Sequence, residues 1–502
     1  MTPTAQHATE ERPSPDFPSA ALPLLQDAQL RRNVRHATDV IQGKRARVVA
    51  EMPDWQALRD TGQHIRAHAL DFLDIYLEQF EQRCTAAGGH VHWARDAAEA
   101  NRIVVELAHN PTGRVIKIKS MTTEETGLNH ALEAAGIHPV ETDLAELIVQ
   151  LGHDKPSHIV VPALHKNRQQ VRELFMRAMN LPQLGDQPKD LAEAARLYLR
   201  RQFLSTPVAI SGANFLIAET GGVCIVESEG NGRMCLTLPQ KLISVAGIDK
   251  IIPRFRDLEV LLQLLPRSAT GERMNPYNSI WTGVHCGDGP REFHVVLLDN
   301  RRTDVLRDPE ARETLQCIRC GACQNACPVY RQTGGHAYGS VYAGPIGAIL
   351  TPQLALMQHG QSLPYASTLC GACYEVCPVK INIPEILIHL RGRVVTARPT
   401  PLRGLHPEAL IMRAMQWIFL SETRLQWAQR LGRVAQRPWI RSSGWIERLP
   451  SILGGWTRTR DLRPLPPQSF REWFEARSGT PATLPSNQSE NTSSQSSGVT
   501  HG

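Results

Sequence analysis

The sequence predicts an α/β domain on a parallel sheet, followed by an all-α module and a helical C-terminal segment. Short apolar runs alternate with capped helices between about residues 90 and 300, the pattern of strands joined by crossover helices. Seven of the eleven cysteines then fall between Cys317 and Cys377, in two tight runs that suit short helices around a metal centre. Residues 396–475 are basic and tryptophan-rich, which suits a helical segment with arginines on its surface.

Residues 1–30 are rich in Pro, Ala and charge without a period and are expected to form a disordered arm. A helical segment is expected over 31–89. In it Ala69, Phe72, Leu73, Tyr76, Leu77 and Phe80 share one helical face. The α/β domain is expected over 90–304. Ile103–Val105 and Val115–Ile118 read as strands. Thr122 with Glu125 reads as a capping box, opening a helix through Leu128 and Leu132 that Gly136 ends. Ile137–Glu141 reads as a strand, Asp143 with Glu146 opens a helix closed by Gly152, and Ile159–Val161 is a further apolar run bounded by turn residues. Later strands are expected at Asn214–Ala218, Gly222–Val226 and His294–Leu298.

An all-helical ferredoxin module is expected over 305–395. Its first run, Cys317 to Pro328, reads C-x2-C-x2-C-x3-C-P; its second, Cys370 to Pro378, reads C-x2-C-x3-C-P. The first spacing wraps three thiolates round one cubane and sends the fourth to its neighbour. Cluster one then takes Cys317, Cys320, Cys323 and Cys377. Cluster two takes Cys327, Cys370 and Cys373 and is one cysteine short. Two [4Fe–4S] clusters are the expected cofactors. A zinc site prefers two cysteine pairs across a long loop, and disulfides need an oxidising compartment. The start of the chain, Met1–His7, has no apolar core after a basic stretch and does not read as a secretory signal.

Ser367 stands where the register calls for the first cysteine of the second run. Three outcomes stay open: ligation by Ser367, ligation by a more distant group such as His336, or an open or lost iron that leaves a [3Fe–4S] cluster. Ser367 also reads as a turn cap. Cys84, Cys224, Cys235 and Cys286 read as small buried hydrophobes.

Hydrophobic residues make up 42% of the 502, and charged residues 21%, as in an ordinary soluble protein. A formal charge of +6 is too small at this length to argue for nucleic acid. The most apolar stretch, Ala409–Leu420, is too short to span a bilayer and carries Arg413 and Gln416. A cytoplasmic location is expected, with peripheral contact at the inner face of a membrane as the alternative.

Residues 396–475 hold Trp417, Trp427, Trp439, Trp445 and Trp456 among their arginines. Partner docking, a membrane surface and nucleic acid compete with a plainer reading, a helical cap with its tryptophans in a core. Residues 476–502 are Ser, Asn, Gln and Gly and are expected to form a disordered tail.

A ligand groove is expected at the strand ends of the α/β domain. Lys117 and Lys119 precede a helix start, where an anion is welcome. Asn214 and Glu219 belong to a Gly-, Asn- and carboxylate-rich stretch that runs on through Val226–Arg233. Turn chemistry with surface charge is the competing account. No Gly-x-Gly-x-x-Gly points to a nicotinamide cofactor.

Lys119–Glu125, Glu141–Leu144, Pro156–Asn167, Gly212–Gly232 and both cysteine runs together resemble the lactate-utilisation iron–sulfur protein B family, over most of residues 40–470. The resemblance implies an α/β lactate-utilisation domain, similar in fold to sugar-phosphate isomerase and CoA-transferase-like proteins, fused to the helical ferredoxin. It carries the family's cluster cysteines onto the seven named above, with three for the second cluster. It implies electron transfer in the oxidation of L-lactate to pyruvate, in a complex with two companions. One is a cysteine-rich protein and the other a stand-alone α/β domain. The alternatives are an iron–sulfur subunit for another 2-hydroxy acid such as glycolate, a quinone-linked oxidoreductase, or a redox-sensing binding protein.

Overall fold

Packing at both ends of the first helix orders a stretch expected to be an arm. The computed structural model describes residues 16–287, 289–357, 359–397, 407–450, 454–457 and 460–478. In it Phe17–Gln26 (α1) and Ala28–Ala50 (α2) are helices. Pro18 sits in the first turn of α1, where its missing N–H leaves nothing unpaired. Phe17 meets Tyr338 edge-on at 5.0 Å, and Leu30 and Val34 of α2 are buried. The disordered-arm expectation is corrected over 17–30, and its first fifteen residues lie outside the described residues.

The helical apolar face of the next segment is split between Trp55–Asp71 (α3) and Leu73–Ala86 (α4), because Phe72 leaves helical geometry and points to solvent. His90–Ala94 (β1) follows, then Ala97–Ala108 (α5). The strand expected at Ile103–Val105 belongs to α5. Asp96 caps that helix through the Glu99 amide, and Ala100, Val104 and Ala108 recur at i+4 on its buried face. A three-residue apolar run does not show its period; the flanking alanines do.

Arg114–Lys117 (β2) leads to Met121–Glu125 (α6) and Leu128–Ala134 (α7). The capping residue is Ser120 rather than Thr122, and Gly127, at φ +66°, breaks the expected single helix in two. His138–Glu141 (β3) and Leu144–Leu151 (α8) come next, with Asp143 capping α8 through the Ala145 and Glu146 amides. Ile159–Val161 is loop, not strand. Its amides find side-chain acceptors instead of a ladder: Ile159 N donates to Gln324 Oε1, and Val160 N and Val161 N to His158 Nδ1.

Arg168–Ala178 (α9) and Pro188–Ser205 (α10) precede Val208–Ser211 (β4), Phe215–Ile217 (β5) and Gly222–Glu227 (β6). Asn231–Thr237 (α11), Lys241–Gly247 (β7), Ile251–Ile252 (β8), Asp257–Ala269 (α12), Tyr277–Trp281 (β9) and Glu292–Leu298 (β10) complete the α/β region. Six strands form one all-parallel sheet in the order β1-β10-β7-β4-β2-β3. β4 is buried throughout and β10 almost so, as strands covered on both faces must be. A smaller mixed sheet runs β8-β5-β6-β9.

Arg302–Leu306 (α13) leads into the cysteine-bearing region: Ala322–Ala326 (α14), Tyr330–Thr333 (α15), Gly344–Leu354 (α16), Ala372–Val376 (α17) and Ile383–Ala397 (α18). No separate cores meet at the boundary expected between residues 304 and 305. One apolar cluster takes in Leu30 and Trp55, Phe215 and Leu264, and Ile318 and Ile386. The compact unit they share ends at Ala397.

A second unit begins at Arg398. It contains helices Pro407–Phe419, Glu422–Ala435 and Phe470–Ser478 and an isolated bridge between Ile446 and Leu462. Trp417, Trp427, Trp439 and Trp445 are exposed, so the expectation of a tryptophan core is corrected. The Arg424 guanidinium lies over Trp417 at 4.4 Å, and that of Arg463 over Trp445 at 5.2 Å. The side chain of Trp456 and residues 479–502 of the expected tail lie outside the described residues. Among the described residues no helix is long and apolar enough to cross a membrane.

Candidate iron–sulfur site and the adjoining cavity

The two cysteine runs have the same backbone. Arg319 and Gly321 (φ +60° and +74°) flank Cys320, and Leu369 and Gly371 (φ +54° and +81°) flank Cys370. Each left-handed pair is followed by one short helix, α14 or α17, and then by Cys327-Pro328 or Cys377-Pro378. A Cβ on Gly371 would meet nothing, so it is the left-handed backbone that calls for glycine there.

α14 packs on α17, and this crossing brings the sulfurs together. Cys317, Cys320, Cys323 and Cys377 line one small cavity with Ile346, Val379, Ile381 and Ile383. Burial, then the Cys317 sulfur among its neighbours, pushes the Cys377 thiol up to about 11. Burial and neighbouring sulfurs raise Cys320 and Cys323 further. Burial, then Cys327 and Cys370, pushes Cys373 up to about 12, which places those three sulfurs in a second group. Crowded, buried thiols ionise only against a cation, and iron supplies one. The wall of that cavity is largely apolar, and backbone N–H groups point at the sulfurs of both groups. Arg319 N points at Cys317 Sγ (3.4 Å), Ile381 N at Cys377 Sγ (3.4 Å) and Tyr330 N at Cys327 Sγ (3.5 Å). This donor set fits [4Fe–4S] clusters.

Helices far away in sequence hold the second run in place. Arg59 of α3 donates through Nε to the Cys377 carbonyl at 2.9 Å and through Nη2 to that of Tyr374 at 3.0 Å. Arg45 of α2 donates to the Val376 carbonyl at 3.1 Å. Arg66, almost fully buried, donates to the carbonyls of Gln316, Leu315 and Ile251. These guanidiniums would also offset the negative charge of thiolate-bound clusters. None stood out in the sequence, because nothing local ties an arginine near residue 60 to a cysteine beyond residue 370.

Ser367 Oγ accepts the Leu369 amide at 3.1 Å, the contact that Cys317 Sγ makes with Arg319 N in the first run. His336 is turned elsewhere: its Nε2 donates to the Lys155 carbonyl at 2.9 Å, and its ring lies against His165. Cys84, Cys224 and Cys235 are buried, but Cys286 is exposed, and the expectation for it is corrected. It lies in the loop after β9.

Beside the first sulfur group lies a second cavity, of about 220 Å³, at the ends of β2, β4 and β6. Lys119, Asn214, Asn231, Glu229, Lys250 and Arg319 are among its lining residues. Two residues expected there are absent. Lys117 is fully buried, with its amine 2.6 Å from Glu141 and 3.4 Å from Glu124. Strand β2 ends at Lys117, so Lys117 and Lys119 no longer share a face. Glu219 instead accepts the Phe255 amide at 2.8 Å. The helix start after Lys119 is also short, since α6 has five residues. Burial, then Arg319, lowers Lys250 to about 7, and burial, then Asp143, raises Glu229 to about 7. Arg319 and Lys250 escaped the sequence reading because each is a lone basic residue in its segment. Arg319 borders both cavities.

Fold and site together define a two-module iron–sulfur protein, an α/β domain sharing one core with a ferredoxin-like module. The LUD domain family matches residues 77–298, and the 4Fe-4S dicluster domain family matches 313–381. Lactate utilization protein B of Bacillus subtilis is 42% identical over 454 residues, 89% of this chain and 93% of that one. Lactate utilization protein B 1 of Bacillus mycoides is 41% identical over 451 residues, 89% and 93% of the two chains. The uncharacterized electron transport protein YkgF of Escherichia coli is 41% identical over 471 residues, 92% and 96%. The chain belongs to the lactate utilization protein B family.

Proposed function

We propose that this chain is the iron–sulfur electron-transfer component of a system that oxidises L-lactate to pyruvate. Its family gives it a role in lactate utilization with iron–sulfur clusters. The finer reading assigns Cys317, Cys320, Cys323 and Cys377 to one [4Fe–4S] cluster and Cys327, Cys370 and Cys373 to another. Ser367 takes the fourth corner of the second. A serine oxygen is the poorer ligand, because a hydroxyl loses its proton far less readily than a thiol, so that corner is the one from which iron is lost to leave [3Fe–4S]. When bound, a cubane takes up or gives up electrons singly. Turning a 2-hydroxy acid into a 2-oxo acid releases two electrons and two protons, a load that two such centres match.

The observation that carries the reading is the position of Arg319, which borders the first sulfur group on one side and the larger cavity on the other. The second group opens outward, since Cys370 is exposed while Cys327 and Cys373 are buried. The path therefore runs from the cavity through the inner cluster to a surface cluster, where a companion takes the electrons. Two companions are proposed, a cysteine-rich protein and a stand-alone α/β domain, in the cytoplasm, where thiols stay reduced.

Anaerobic reduction of the clusters by L-lactate, with the companions present, tests this. Cluster bleaching with L-lactate supports the reading. Bleaching by glycolate and not by L-lactate contradicts it.

A further inference from the structure

The cavity at the ends of β2, β4 and β6 has polar groups left over after folding. The Arg319 side chain is more than nine-tenths buried (8% exposed), yet its Nη1 has no hydrogen-bond partner. Its Nη2 makes a 3.5 Å contact with Asp249, a carboxylate already engaged by Arg302 at 2.6 Å, and the guanidinium lies over the Tyr342 ring at 4.8 Å. Lys119 Nζ also lacks a hydrogen-bond partner and stands 3.4 Å from Glu146, a buried carboxyl that burial holds protonated up to about pH 7. Asn231 Oδ1 is unpaired as well. Buried donors and acceptors without partners are costly, and a ligand that pairs them removes the cost.

The opposite charge lines the same space. Asp143, Glu227 and Glu229 all border the cavity. A phosphate ester carrying two charges would meet these carboxylates, whereas a singly charged acid with a hydroxyl group would give them a donor. Met121, Val160 and Leu265 supply apolar wall for a short alkyl group.

We infer that this cavity binds a short 2-hydroxy monocarboxylate, with its carboxylate on Arg319 and Lys119 and its hydroxyl donating to the wall of Asp143, Glu229 and Asn231. The inference rests on the lactate-oxidising reading above and gives that reading its substrate site. Because Arg319 lies between Cys317 and Cys320 in the chain, occupancy is felt at the first cluster.

The test uses the full-length, cluster-loaded protein under anaerobic conditions, with L-lactate and pyruvate as probes and lactamide and inorganic phosphate as controls. Calorimetry reads affinity, and electron paramagnetic resonance of the dithionite-reduced protein reads the first cluster. L-lactate is expected to bind and shift that spectrum, pyruvate, with no hydroxyl to donate, to bind more weakly, and lactamide and phosphate to do neither. Lys119→Gln is expected to weaken binding roughly ten- to hundredfold and abolish the spectral shift at unchanged iron content. Asn231→Leu, which fills some of the cavity, is the second variant and should weaken binding likewise. No binding to the unaltered protein, tighter binding of phosphate, or full binding by both variants would overturn the inference. If no carboxylate binds while the clusters still pass electrons from dithionite to a companion, the site is wrong and the electron-transfer reading stands. If a carboxylate binds but the clusters stay redox-silent, the site stands and that reading falls.

Discussion

Arg59 Nε donates to the carbonyl oxygen of Cys377 at 2.9 Å, so a helix before the parallel sheet fixes the last cysteine of the chain. The same guanidinium holds the Tyr374 carbonyl. Arg59→Met strips both acceptors of their donor and should cost on the order of 2–4 kcal/mol. Thermal denaturation under anaerobic conditions checks the loss. Iron analysis should show cluster one depleted, because Arg59 positions Cys377, its proposed fourth ligand.

The proposed crossing sends the last cysteine of each run to the cluster of the other run. Cys377→Ala should remove the cluster built on Cys317, Cys320 and Cys323 and spare the other. Cys327→Ala should do the reverse. Electron paramagnetic resonance of the two reduced variants should give complementary halves of the wild-type spectrum. Identical residual spectra would refute the crossing.

Ser367 and Cys317 hold equivalent amide contacts in equivalent turns. Ser367→Cys should therefore slow the loss of iron from cluster two during air exposure and suppress the three-iron signal. Iron release followed with a chelator gives the rate, and an unchanged rate would remove Ser367 from the cluster.

Burial, against the pull of Lys119, pushes the Glu146 carboxyl up to about 7 from an ordinary 4.5. Between those values the native protein holds a proton that the unfolded chain has released. The stability this group contributes is complete below about pH 4.5 and is lost as pH rises through about 7. The wild type should lose about 3 kcal/mol from this source over that interval. Glu146→Gln should flatten the difference, as read by anaerobic thermal midpoints at pH 5.5 and pH 8.

The sequence disclosed most where a local rule fixes the outcome. Cysteine spacing is such a rule, and so is Asp143 capping the helix through Leu147. Val115–Ile118 and His294–Leu298 of the parallel sheet and Gly222–Val226 of the mixed one read correctly because buried strands are plain apolar runs. Ile103–Val105 misled for the same reason, since three apolar residues suit a helix face equally well. The site beyond the cysteines was half visible. Lys119 and Asn214 sit in unusual local composition, while Arg319 and Lys250 matter only through distant chain segments that the fold brings close. Arg45, Arg59 and Arg66 were out of reach altogether, because they serve carbonyls about 180 to 330 residues away in sequence.

In the proposed function, thiolates from both runs jointly hold two electron-carrying clusters. Anoxic purification followed by iron and acid-labile sulfide analysis and a dithionite titration tests it most directly. About eight iron atoms and eight sulfides per chain are expected, with two separable one-electron reductions. Sub-stoichiometric iron in anoxically prepared protein, or clusters that no reductant reduces, would contradict it.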